Sequence, residues 1–233
     1  MRLHFSLSPN RELVPFDYAP ALARIFHIWI GNNNPQHNAL SLYSLGWIQS
    51  PRHQTRQGGF DFPWGANFAL SAPDMLDGEA LLHRVIETTS KHSQFLFGME
   101  IIETQVQSTP DFGAERHFRV GSPVFIRGDE REERDAHILW NHPRASELLT
   151  QTLRHKLDKS GLNHLSEGAS VQFDHSYPHP KSKLIFVAEG NGKPFRKRAS
   201  FCPVIVKGDP GAVKFAWNTG IGGLTGMGFG SLI

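Results

Sequence analysis

The chain is poor in cysteine, in long apolar runs and in repeated sequence. Its single cysteine, Cys202, excludes an internal disulfide and fits a reducing, cytoplasmic setting. Cys202 sits among apolar residues and reads as core packing. No run of about eighteen or more apolar residues occurs, so no membrane-spanning helix is expected. The first residues, Arg2-Leu3-His4-Phe5-Ser6-Leu7, alternate as a strand does and do not resemble a signal peptide. No low-complexity tract is present. No cysteine–histidine cluster has structural-zinc spacing. His175 and His179 stand four apart, but Pro178 and Pro180 forbid a regular helix there. Neither a metal nor another cofactor is therefore expected. The run Asp129 to Asp135 mixes acids with arginines and reads as a solvated loop.

Charge is small in total, +2, but unevenly placed. Residues 1–112 carry 7 Lys/Arg against 10 Asp/Glu, and residues 113–233 carry 17 against 12. From Lys181 onward the count is 8 against 2. A basic end on a near-neutral chain suits a polyanion held on one face.

Hydrophobic spacing predicts a strand at Leu3–Leu7 and then a helix. Pro20 suits that helix's first turn, and Leu22, Ile25, Phe26, Trp29 and Ile30 form its stripe before Gly31 ends it. Strands are expected at Leu40–Ile48, over Phe60–Ser71 with an interruption at Pro63 and Gly65, and at Phe95–Val106, with a second helix over Pro73–Ser90. The order βαββαβ is a ferredoxin-like unit. The pattern recurs. A strand over Phe118–Ile126 and a helix over Pro143–Lys159 precede strands at Val171–Phe173, Leu184–Ala188 and Arg198–Val206. Asp209-Pro210 opens a short helix, and Met227–Ile233 reads as a final strand. The expected fold is α+β, with two tandem ferredoxin-like domains, 1–112 and 113–233, meeting near Thr109–Gly113.

The most specific segment is Gly220-Ile221-Gly222-Gly223-Leu224-Thr225-Gly226-Met227-Gly228-Phe229-Gly230. It holds six glycines in eleven residues. A tight turn asks for one or two. Such a segment lets backbone N–H groups approach phosphates. It is not a Walker loop, lacking Gly-Lys-Ser/Thr, and it follows a helix, unlike a dinucleotide fingerprint. It resembles the C-terminal glycine-rich signature of the RAMP superfamily. Val120-Gly121-Ser122-Pro123-Val124 is similar to the Ser-Pro turn opening the second half of those proteins. The polar stretch around His37 and the following Leu42-Tyr43-Ser44-Leu45 resemble their catalytic-histidine region. On these residues and the element order, the chain resembles the CRISPR-associated endoribonucleases that process precursor CRISPR RNA.

That resemblance implies a metal-independent cut within the repeat. The ribose 2′-oxygen attacks the adjacent phosphate, leaving a 2′,3′-cyclic phosphate and a 5′-hydroxyl. His37, in a polar loop after the first helix, is implied as general acid. Phe26 stands where some members carry a tyrosine base and cannot take a proton. His27, one residue on and off the apolar stripe, is the candidate base, with Arg24 as electrostatic helper. Arg52, His53 or Arg56 are candidates for charge from the next loop. RNA binding is expected from Lys181, Lys183, Lys193, Arg196, Lys197 and Arg198, and from backbone amides at Gly220, Gly222, Gly223, Gly226, Gly228 and Gly230. The implied partners are the precursor CRISPR RNA repeat and a CRISPR effector complex, with no membrane, and with a monomer or homodimer as the assembly. Two rival readings share the fold: a non-catalytic RNA-binding subunit of an effector complex, and a scaffold for a small ligand or a protein.

Overall fold

The structure, a computed structural model, describes residues 1–31, 40–74, 78–128, 138–190 and 193–233. The alternating opening segment forms β1 (Arg2–Leu7), whose Leu3, Phe5 and Leu7 are buried. It lies between β6 (Ala66–Ser71) and β7 (Ile101–Gln107), antiparallel to both, and β3 (Ser44–Leu45) pairs with the far side of β6. The order β3-β6-β1-β7 is that of a ferredoxin-like sheet. Helices α1 (Ala19–Ile30) and α2 (Gly78–Lys91) contribute Leu22, Phe26, Trp29, Ile30, Leu81, Leu82 and Val85 to the core. Inside it, Phe5 stacks on Phe68 at 4.6 Å between centroids and Phe68 on Phe95 at 5.1 Å. Such ring pairs add about 0.5–1.5 kcal/mol each beyond burial. A separate small sheet forms from β2 (Val14–Pro15), β4 (Gln54–Arg56) and β5 (Gly59–Asp61).

The second core holds Phe118, Leu149, Leu153, Leu157, Val171, Phe173, Val204 and Val206. Its sheet runs β8 (Glu115–Phe118), β12 (Val204–Lys207), β9 (Ser170–Phe173), covered by α3 (Ala145–Lys159) and α5 (Pro210–Thr219). The short α4 (Asn163–Ser166) follows α3. Asp209 caps α5 by accepting from the Gly211 N–H at 2.7 Å, as its sequence predicts. A long hairpin, β10 (Lys181–Gly190) with β11 (Lys193–Phe201), stands apart from that sheet. Cys202 is buried and its thiol donates to the Asp174 carbonyl at 3.7 Å; burial pushes the thiol up to about 11, which fits a packing role.

Several expected strands are shorter, each for a physical reason. Met227–Ile233 is not a strand. Its glycines turn, a 3-10 turn covers Thr225–Met227, and only a bridge between Leu232 and Val120 marks the place of a fourth strand beside β8. Arg198–Val206 divides at Cys202-Pro203, where proline has no N–H to continue a ladder. Leu40–Ile48 reduces to β3, because Trp47 turns away to the second half. Phe95–Val106 starts only at Ile101, since Phe97 and Gly98 take positive φ. Phe118–Ile126 is not one strand: β8 lies earlier, over Glu115–Phe118, and beyond it only isolated bridges at Val120, Val124 and Phe125 flank the Gly121-Ser122-Pro123 turn.

The halves join through hydrogen bonds as well as packing. The Trp47 indole donates to the Gly228 carbonyl at 2.7 Å, the Gln49 amide to Gly121 at 3.0 Å, and the Ser122 hydroxyl to Leu45 at 3.3 Å. Arg2 is buried within β1. It donates to the Ser71 hydroxyl at 2.6 Å and to the Leu232 carbonyl at 2.6 Å, and its guanidinium lies 3.7 Å from the centre of the Trp217 ring.

Candidate nucleic-acid interface

A cleft of about 650 Å³ opens where segments from both halves meet. Leu40 and Ser41 stand on one side, Gly223 and Leu224 on another, and Arg127 on a third. Helix α3 with its cap supplies the remaining wall: Arg144, Leu148, Gln151, Thr152 and His155 recur at i, i+4, i+7, i+8 and i+11. That spacing places them along one helical face, while Leu149, Leu153 and Leu157 face the core. The cleft therefore collects two guanidiniums, an imidazole and the backbone of the glycine-rich segment. In the sequence this wall is indistinguishable from a solvated helix face, because it is a polar stripe opposite an apolar one. His155 four residues beyond Gln151 was the available signal.

His37 lies outside the described residues. Its segment leaves α1 at Gly31 and rejoins the described chain at Leu40, on the cleft's edge. The helix before it carries the other two expected catalytic groups. Arg24 is exposed, and His27 is half-buried with its ring against Phe26 at 5.8 Å. Neither lines the cleft. Phe26 packs on Tyr43 at 4.7 Å between centroids, which confirms its core role. Burial pushes the Tyr43 phenol up to about 12, against a smaller opposing effect of its hydrogen bond with Ser41.

Beneath the cleft lies Lys156, on the inward side of α3 and almost wholly buried. Its ammonium donates to the Thr219 and Gly220 carbonyls at 3.2 and 3.1 Å and to the Thr225 hydroxyl at 3.3 Å. It thus holds the end of α5 and the turn of the glycine-rich segment together, a cation on helix-terminal carbonyls. Burial lowers its pKa to about 7.

Packing accounts for four of the six glycines. A Cβ on Gly230 would stand 1.9 Å from the Ile221 carbonyl oxygen, and one on Gly222 2.4 Å from that of Phe125. One on Gly226 would meet the Tyr43 hydroxyl at 2.6 Å, and one on Gly220 the Gly230 oxygen at 2.8 Å. Gly228 has room but a φ of +81°. Gly223 alone among the six combines ordinary φ with ordinary contact distances, and it lines the cleft. Its N–H, however, donates to the Phe125 carbonyl at 2.9 Å, as those of Gly228 and Gly230 do to Thr225 and Pro123, so these three amides are engaged within the fold and do not face a phosphate as expected. Gly230→Ala is expected to destabilise the protein by several kcal/mol, combining a steric clash with about 1–2 kcal/mol for the left-handed backbone. Gly223→Ala is expected to melt as wild type does while weakening RNA binding. Thermal melts and filter binding check both.

The basic hairpin is aromatic as well as cationic. The Lys183 ammonium lies 5.0 Å from the Trp47 ring centre and 5.9 Å from that of Phe60. The Lys197 ammonium lies 4.5 Å from Phe195 and 5.2 Å from Phe125. Arg196 pairs with Asp17 at 3.0 Å, and Arg198 donates to Ser182 at 3.3 Å. Lys181 opens β10 and is exposed, and Lys193 opens β11. Phe125 forms a bridge with Gly223 and Phe229 packs with Ile185, so the hairpin and the glycine-rich segment are neighbours. Arg52 and Arg56 are exposed beside and on β4, where Arg56 pairs with Asp61 at 3.6 Å. Neither lines the α3 cleft; of that loop's candidates only His53 lines a concavity, a different one.

The sequence matches the family model for the C-terminal region of CRISPR-associated protein Cas6 over residues 107–232. No curated protein matches it. Solved structures do. One, characterised as a Cas6-related gene product from Pyrococcus furiosus, aligns with a TM-score of 0.83 at 15% identity, over 100% of this chain and 97% of its own. A second, a CRISPR associated protein Cas6, gives 0.79 at 17%, over 100% and 98%. A third, an RAMP protein binding different RNA substrates, gives 0.83 at 15%, over 100% and 99%. At these identities the likeness is one of fold, and it extends the tandem ferredoxin-like architecture across the whole chain. With more than half its length matched by the family model, the chain belongs to the Cas6 family of CRISPR-associated proteins.

Proposed function

We propose that the protein is an endoribonuclease that cuts precursor CRISPR RNA within its repeats, without a metal ion. The observation that carries this reading is the α3 cleft, which sets Arg127, Arg144 and His155 opposite the glycine-rich segment and beside the end of the His37 segment. In the proposed reaction the 2′-oxygen forms a bond to the adjacent phosphorus as its proton passes to a base. The bond from phosphorus to the 5′-oxygen breaks, and that oxygen takes a proton from His37. The products are a 2′,3′-cyclic phosphate and a 5′-hydroxyl. Arg127 and Arg144 offset the charge that grows on the phosphoryl oxygens. His155 is the favoured base because it lines the cleft; His27 and Arg24 act from α1 in the alternative arrangement.

Incubation with repeat RNA in EDTA tests the reading. Cleavage is expected, with a downstream fragment that a kinase labels without prior phosphatase treatment. Tight repeat binding with no cut would instead favour a non-catalytic RNA-binding subunit. That second reading draws support from the solved neighbour described as a RAMP protein binding different RNA substrates.

A further inference from the structure

A second concavity, of about 530 Å³, lies across the glycine-rich turn from the α3 cleft. Its walls are aromatic: Trp47, Phe60, Phe62 and Tyr18 all line it. Each ring is held in place. The Trp47 indole is fixed by its bond to Gly228, and the Tyr18 hydroxyl donates to the Ile48 carbonyl at 3.3 Å. Phe60 is held edge-on by Phe16 at 4.9 Å, and His53 stands edge-on to Phe60 at 5.5 Å with its Nδ1 2.9 Å from the Ser50 carbonyl oxygen. The rim is polar, with Gln49 and Asn67. Asn67 also borders the polar sheet face of His4, Ser6, Gln105 and Gln107, so the pocket is continuous with an open hydrophilic track.

A cation completes the site. Lys183 from the hairpin holds its ammonium over Trp47 and Phe60. The nearby carboxylate, Asp17, is engaged by Arg196. Flat rings, amide groups at the edge and an ammonium at the mouth suit a nucleobase with its phosphate outside. An aliphatic side chain would use neither the amides nor the cation.

We propose that this pocket takes one unpaired nucleobase of the repeat RNA, stacked against Phe60 and Trp47, with its backbone phosphate on Lys183. The proposal rests on the RNA-processing reading above and adds to it a recognition site separate from the cleavage cleft. The strand would cross the glycine-rich turn, whose two flanks Gly223 and Gly228 face the cleft and the Trp47 wall.

An abasic scan of the repeat RNA tests it. Each unpaired nucleotide is replaced in turn by an abasic one, and affinity is measured for wild type and for Phe60→Leu, which keeps an apolar side chain in the wall but removes the flat ring. One position is expected to lose about ten-fold in affinity on wild type, the size of one base–aromatic stack. Phe60→Leu should lose about as much with intact RNA and nothing further with that abasic RNA. Effects that simply multiply at every position, while repeat RNA still binds specifically, would overturn the proposal and leave the RNA-processing reading standing. Repeat RNA bound no more tightly than unrelated RNA of equal length would remove both. If Phe60→Leu melts early, His53→Ala carries the same cycle. Lys183→Met should weaken intact and abasic RNA alike, and wild-type affinity in that variant would overturn the phosphate assignment.

Discussion

His37→Ala is expected to lower the single-turnover cleavage rate of repeat RNA by about 10²–10⁴-fold, with affinity for the RNA largely retained. A general acid acts on a proton that moves only in the transition state, so its loss falls on the rate and not on binding. The role itself can be isolated. Repeat RNA carrying sulfur in place of the scissile 5′-oxygen has a leaving group that needs no proton. The variant should cut that substrate nearly as fast as wild type. Equal rates on ordinary RNA would exclude His37 from the mechanism. A defect undiminished by sulfur would leave it important but not as the acid. The same pair of substrates separates His155, because loss of a base is not repaired by a better leaving group.

Lys156→Ala is expected to destabilise the protein by about 2–5 kcal/mol, read as a shift in urea midpoint. It would open a cavity under α3 and leave buried acceptors unmet at Thr219, Gly220 and Thr225. Lys156→Met fills the space and should be milder. The pH dependence follows from the lowered pKa. The unfolded lysine keeps its proton to about pH 10, whereas the folded one releases it near pH 7. Between those values the unfolded chain binds more protons, so this group makes stability rise with pH by up to about 1.4 kcal/mol per unit. Below that window both states are protonated and its contribution is flat. Lys156→Met should make the slope between pH 7 and pH 10 shallower by that amount. A slope unchanged in that variant would show that Lys156 is not its source.

How far these features could be read in advance differs from segment to segment. Leu3, Phe5 and Leu7, the stripe of α1, the apolar face of α3 and the Asp209 cap each carry a local pattern whose period decides the outcome. Met227–Ile233 has no such independence. Its alternation suggests a strand, but the backbone positions of Gly228 and Gly230 are dictated by Trp47 and Ile221. Leu40–Ile48 likewise yields to Trp47's bond with Gly228. The glycine-rich segment stands out in the sequence, yet most of its glycines answer to packing, which no spacing reveals. The aromatic pocket was hidden because its rings come from α1's cap, the stretch after β3, and β5 with its end. Only the fold assembles them.

The buried guanidinium of Arg2 bears on how the chain matures during synthesis. It belongs to β1, yet one of its acceptors is the carbonyl of Leu232, 230 residues further along the chain. While the ribosome is still translating, the opening sheet must carry that charge without its final ligand and without Trp217 above it. Its complete environment forms only once Leu232 has emerged, so nascent chains stalled before that residue should be more open to proteolysis than chains that extend past it.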